Sequence, residues 1–136
     1  MYLLDTNICI YIIKKSSPHL LKKLKSKLKK QIFISSITIA ELEHGIAKSK
    51  FPEQNKVALL EFISIFTLLN FDDSDAVEFG KIKAALEKRG EIIGPMDLLL
   101  AAQARAKNLV LVTNNTREFR RVDSLKIEDW TSSGTK

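Results

Sequence analysis

The stretch Leu109-Val110-Leu111-Val112-Thr113-Asn114-Asn115 decides the fold. Four consecutive aliphatic residues suit a strand covered on both faces, and the polar Thr-Asn-Asn that follows ends it. The same arrangement recurs along the chain. Tyr2-Leu3-Leu4 runs into Asp5, Ile32-Phe33-Ile34 runs into Ser35-Ser36, and Phe66–Phe71 runs into the cluster Asp72–Asp75. A last short strand is expected around Leu125–Ile127, ahead of Trp130.

Helical segments separate these runs. Residues 7–15 have the apolar density of a partly buried helix, and Pro18 opens a second one in which Leu20, Leu21, Leu24 and Leu28 share a stripe. Further helices are expected from Ser35-Ser36 to about Ala47 and from Pro52 to about residue 65. Another runs to Arg89 with Asp72 as its cap, and one covers roughly 96–107 with Pro95 at its first position. Asn115 can cap a short helix into Phe119. Strands alternating with helices pair in parallel, because each crossover needs its helix. The expected fold is α/β: a three-layer α/β/α sandwich with right-handed crossovers and a central, mostly parallel sheet of about five strands. No repeat or linker divides residues 1–136, so one domain is expected, with a polar tail from about residue 131.

The 136 residues, 45% of them apolar, are enough for a core without disulfides. Cys9 is the only cysteine, which excludes an intramolecular bridge, and with His19 and His44 it makes a zinc site only if all three converge. A reducing, cytoplasmic location is expected. No secretory leader is expected, since Asp5 and Asn7 break the first apolar run, and no segment reaches the length of a membrane span. The net charge of +6 is unevenly placed: residues 14–30 carry eight lysines and no acid, leaving fourteen basic against sixteen acidic residues elsewhere. A near-neutral body with one basic element favours a polyanionic partner, although a solvated lysine face needs no ligand.

Asp5 follows the first strand, Glu41 lies about one turn into the helix after the second, and Asp97 falls in the first turn after Gly94-Pro95. Asn115 follows the penultimate strand. In an open parallel sheet these positions gather at the carboxyl ends of the strands, where such folds place their ligand sites. Carboxylates gathered there repel one another, and a hard divalent cation relieves the repulsion. Each residue also has a plain structural reading. Asp5 suits a turn or a helix cap, Thr38-x-x-Glu41 has capping-box spacing, Asn115-x-x-Glu118 has a related pattern, and Asp97 suits a helix dipole.

Four ordered motifs carry a resemblance. Leu4-Asp5-Thr6-Asn7, Ile39-Ala40-Glu41-Leu42, Ile93-Gly94-Pro95-Met96-Asp97 with Ala101-Ala102, and Leu111-Val112-Thr113-Asn114-Asn115-Thr116-Arg117-Glu118-Phe119 resemble those of the PIN-domain ribonucleases, in particular VapC-type toxins of bacterial toxin–antitoxin pairs. The likeness extends to Ile127-Glu128-Asp129-Trp130. It implies a PIN-like sheet, a Mg²⁺ or Mn²⁺ site, and an endoribonuclease that cleaves structured RNA, such as the initiator tRNA, to inhibit translation. The family's acids map onto Asp5, Glu41 and Asp97; Asn115 stands where the four-acid version has Asp, and it still offers a neutral oxygen to a metal. Thr6, Thr113 and Asn7 are expected to orient ligands or water, Asn7 having an equal reading as a helix cap. The resemblance further implies a homodimer, a VapB-like antitoxin that joins it in a higher oligomer, and contact with operator DNA only through that antitoxin. RNA preference rests on the likeness, because such a metal site also attacks DNA or phosphomonoesters.

Three expectations complete the reading. Ile8, Ile10, Ile12 and Ile13 give the early helices more apolar surface than one stripe requires, which suggests a dimer interface or burial under neighbouring helices. Lys22, Lys25 and Lys29 of the basic helix at 18–30 are assigned to RNA phosphates, with a simple solvated face, an anionic membrane surface or an acidic antitoxin segment as alternatives. The alternative function is a non-catalytic nucleic-acid-binding or antitoxin-titrating domain, which Asn115 and the lysine-rich segment keep open.

Overall fold

All three prolines of the chain start helices: Pro18 opens α2, Pro52 opens α4 and Pro95 opens α6. Their fixed φ suits the first helical turn, where the missing N–H has no partner to lose. In the computed structural model, which describes residues 1–132, the elements follow in the order β1 (Tyr2–Leu4), α1 (Thr6–Lys14), α2 (Pro18–Lys27), β2 (Ile32–Ser35), α3 (Ser36–Ala47) and α4 (Pro52–Ile63). Then come β3 (Thr67–Leu69), α5 (Asp73–Lys88), α6 (Pro95–Ala106), β4 (Val110–Val112), α7 (Thr116–Phe119) and β5 (Ile127–Glu128). The polar tail expected from about residue 131 falls, from 133 onward, outside the described residues.

The five strands form one parallel sheet in the order β3-β2-β1-β4-β5. Alternation along each strand divides the core into two layers. Tyr2 and Leu4 of β1, Ile32 and Ile34 of β2, and Val112 of β4 join one cluster with α1, α2 and α4. Leu3, Leu111 and Phe33 point the other way, into a cluster with α5, α6 and α7. Both faces are covered, as the uninterrupted apolar strands require, and the three-layer α/β/α expectation holds. Trp130 is buried against the edge of the Tyr2 ring and fastens the end of the described chain to the central strand.

Several boundaries shift from the sequence expectation. The third strand spans only Thr67–Leu69, and the last lies at Ile127–Glu128 rather than around Leu125–Ile127. The basic helix stops at Lys27, with Leu20 and Leu24 buried, Leu21 half-buried and Leu28 exposed. Asp72 caps α5 through a reciprocal box with Asp75, and Lys107 at the end of α6 reaches both carboxylates. No helix among the described residues is long and apolar enough to cross a membrane.

Candidate active site

The strand order reverses between β1 and β4, because the chain builds outward from β1 to β3 and then returns to β1's other side. In open parallel sheets the crevice above such a reversal is the ligand site. Asp5 leaves β1 at this point and Thr113 leaves β4. The Thr113 hydroxyl donates to Asp5 Oδ2 at 2.7 Å, and the Thr6 amide donates to Asp5 Oδ1 at 2.7 Å. Asp5 is also the N-cap of α1, so Asn7 is not; Asn7 is exposed and takes no part in these hydrogen bonds. Burial raises the Asp5 pKa above the ordinary carboxylate value. The two donors pull it back, and the nearby Glu41 adds to the rise.

Glu41 stands in the second turn of α3. Thr6 Oγ1 donates to Glu41 Oε1 at 2.5 Å and lies 3.1 Å from Thr38 Oγ1. The capping-box reading of Thr38 and Glu41 is therefore overturned. Ser35 caps α3 through the Ile37 amide, and buried Thr38 faces Thr6 across to α1.

Asp97 lies in the first turn of α6, half-buried, with Oδ2 3.8 Å from the position a Cβ on Gly94 would take. Its pKa is raised to about 6, first by burial and then by Asp5, Glu118 and Glu41. These four acids thus share one electrostatic neighbourhood. Glu118 was absent from the sequence-derived site because its spacing from Asn115 reads equally as a capping pattern. Asn115 does precede α7, but its side chain does not cap it. Instead Nδ2 donates to Glu118 Oε2 at 2.9 Å, while its own amide donates to Thr113 Oγ1 at 2.9 Å.

The lysines of α2 do not join this group. Lys27 lies over the ring of Tyr2, at the amino end of β1 and opposite the carboxylates, with Lys22 and Lys25 exposed on the same helix and Lys29 just beyond it. Burial also pushes the Cys9 thiol well up, so it stays protonated and is no nucleophile.

Among the described residues, no three acid, histidine or cysteine side chains converge tightly enough to make a ready cage for a metal. The donor set is nonetheless hard oxygen throughout, and its mutual repulsion at Asp97 is what a cation would relieve. Mg²⁺ takes one or two carboxylates and keeps several waters. The residues fit that mode of binding better than a closed site.

A model of the PIN domain matches residues 2–125. Ribonuclease VapC2 of Haemophilus influenzae is 45% identical over 129 residues, covering 95% of this chain and 97% of the relative. The tRNA(fMet)-specific endonuclease VapC of Shigella flexneri is 41% identical, with coverage of 95% and 97%. A crystal structure of VapBC2 from Rickettsia felis bound to a promoter DNA fragment superposes with a TM-score of 0.90 at 42% identity, covering 95% of this chain and 98% of that one. Fold and likeness agree: the chain belongs to the PIN-domain family, in its VapC branch.

Proposed function

We propose that this protein is a metal-dependent endoribonuclease, the toxin of a toxin–antitoxin pair. The observation that carries this reading is the gathering of Asp5 and Glu41 around Thr6 and Thr113 at the topological switch point, with Asp97 and Glu118 in the same electrostatic neighbourhood. The similar Shigella flexneri enzyme is named for cleaving tRNA(fMet), so structured RNA, including initiator tRNA, is the substrate class. Because the Rickettsia felis relative was solved as a VapBC complex on promoter DNA, the partner is a VapB-like antitoxin. Operator DNA is contacted through that antitoxin. A homodimer, assembled further with antitoxin in the cytoplasm, is the working state.

Asp5 and Asp97, with Glu41, are the residues that would hold Mg²⁺ or Mn²⁺; Asn115 would add its side-chain oxygen, since its Nδ2 is already engaged with Glu118. When bound, the ion neutralises charge on the phosphoryl group and lowers the pKa of a water. The chain's own part is to hold the oxygens in place. Thr113 and the Thr6 amide fix both oxygens of Asp5, and the Thr6 hydroxyl fixes Glu41, so these carboxylates do not have to be reordered when substrate arrives.

The test is incubation with total RNA with and without Mn²⁺, followed by mapping of the ends. Sharp products that require metal and vanish in Asp97→Asn, with a near-native far-UV spectrum, are expected. RNA binding without products would instead make the protein a non-catalytic binder.

A further inference from the structure

A shallow groove beside α7 collects Arg89, Arg117, Arg120 and Arg121 against only Glu91 and Asp123. Arg89 is already committed: it donates to Glu91 Oε1 at 2.9 Å and to Asp123 Oδ2 at 3.2 Å. Arg121 donates to the carbonyl of Ile92 at 2.6 Å. Arg117 and Arg120 are exposed and enter none of the ion pairs among the described residues. Two guanidinium groups thus stand free at the edge of a groove whose two acids are already matched by Arg89.

The position of this groove gives it meaning. Its one wall is α7 and the residues just after it, and α7 also carries Glu118. Across from it stand Arg89 and Glu91 at the end of α5, from which the chain leads through Ile92 and Gly94 to Asp97, and Arg121 ties Ile92 to the end of α7. The same two pieces of chain therefore present carboxylates to the cleft and arginines to the adjoining surface. A cleft of four acids repels a polyanion, so a substrate strand needs cationic groups next to it. Arginine meets a phosphodiester with a planar pair of donors. The lysine-rich α2 does not meet the need, because it lies toward the opposite end of the sheet.

We infer that the arginine groove holds the phosphodiester backbone of the RNA strand immediately beside the cleavage site, through Arg117 and Arg120. This rests on the endoribonuclease reading above. The contacts position the strand without reading its sequence.

The experiment is equilibrium binding of one hairpin RNA to the Asp97→Asn protein across a salt series in EDTA. It compares that parent with the same protein carrying Arg117→Gln and Arg120→Gln. Both side chains are exposed and unpaired, so the fold should be unchanged, and a thermal melt checks this. Loss of two phosphate contacts should reduce the log–log salt slope by about 1.4 and weaken binding roughly tenfold near 0.15 M salt. A Lys22→Gln, Lys25→Gln, Lys29→Gln variant should show a smaller change. Unchanged slope and affinity in the arginine variant would overturn the inference, as would a parent whose binding does not depend on salt. Weakened binding of a poly-glutamate peptide with RNA affinity intact would also overturn it, and would give the groove to an acidic protein segment. Failure of the endoribonuclease reading is seen separately, as absence of metal-dependent products from the unmutated protein.

Discussion

Thr113 and Asp5 are 108 residues apart in sequence, yet the threonine hydroxyl donates to the buried aspartate's Oδ2 at 2.7 Å. The bond closes the gap between β1 and β4 where the strand order reverses. It also bridges onward, because the same hydroxyl accepts the Asn115 amide. One side chain thus sets the orientation of a candidate ligand and the path of the backbone into α7.

Thr113→Val tests that arrangement. Removing the hydroxyl leaves a buried carboxylate oxygen and an amide without a partner, which should cost about 1–3 kcal/mol in a denaturant melt at pH 7. The hydroxyl lowers the Asp5 pKa, so its loss lets burial raise it further. The destabilisation should therefore be smaller at an acid pH where Asp5 is protonated than at pH 7, and the acid limb of the activity profile should move to higher pH. An equal loss at both pH values would mean that the hydroxyl acts only through packing.

Asp97 gives a prediction of opposite sign for stability. Its folded pKa of about 6 exceeds the ordinary 3.8, so the folded state binds this proton more tightly than the unfolded chain. Stability without metal should accordingly fall as pH rises from about 4 to 6. Asp97→Asn removes the repulsion. In EDTA at pH 7.5 it should be more stable than the parent by about 1 kcal/mol, a figure reduced for partial exposure, with no difference at pH 4. Added Mg²⁺ should reverse the order by stabilising the parent alone. A parent already more stable than Asp97→Asn in EDTA would contradict strain among these carboxylates.

Much of the fold was legible because its signals are local. Prolines at 18, 52 and 95 mark helix starts, and the aliphatic runs at 2–4, 32–34 and 109–112 have no other plausible use than buried strands. The edge strand β5 was legible in existence but not in bounds, since two half-buried residues, one of them Glu128, make no apolar run. Asp5, Glu41 and Asp97 could be placed at the sheet's carboxyl edge because strand ends and helix starts mark it, and the family resemblance singled them out there. Of their supports, Thr6 and Thr113 were expected from the resemblance, while Thr38 was harder to read. Thr38 has the spacing of a cap but spends its hydroxyl on Thr6, 32 residues away in sequence, and only the tertiary fold brings the two together. Glu118 and Arg117 are adjacent in sequence yet belong to the acidic cleft and the basic groove respectively, a division that the helix rotation of α7 produces.

Lys107 joins the last turn of α6 to the first turn of α5, donating to both oxygens of Asp72 and to fully buried Asp75. Lys107→Met should cost about 1–2 kcal/mol at pH 7, chiefly by leaving Asp75 without its cation. Hydrogen bonds from Lys107 and Ser74 hold the Asp72 carboxyl well below the usual range. Its share of the stability is thus present above the ordinary aspartate value of 3.8 and lost as pH falls through the depressed value, so the gap between parent and variant should begin to narrow below pH 3.8. Cleavage per folded molecule should be unchanged, because Asp97 lies at the opposite end of α6. Reduced cleavage at a temperature where both are fully folded would show that the junction also sets the site.

Asn115→Asp tests how the missing fourth acid is compensated. In the present chain the amide Nδ2 donates to Glu118 Oε2 at 2.9 Å, which anchors one carboxylate beside Asp97 without adding another charge. An aspartate there cannot donate. It would replace an attractive contact by a repulsive one and deepen the negative field around Asp97. Without metal the variant should melt lower, by about 1 kcal/mol for the lost hydrogen bond, with further loss from repulsion. With metal the same extra charge works in favour of the cation, so half-maximal cleavage should be reached at several-fold lower Mg²⁺. The two effects share one cause and must appear together, as a lower melt in EDTA and a larger upward shift on adding Mg²⁺. An unchanged Mg²⁺ requirement would place Asn115 outside the field of the ion and leave it as the anchor of Glu118 alone.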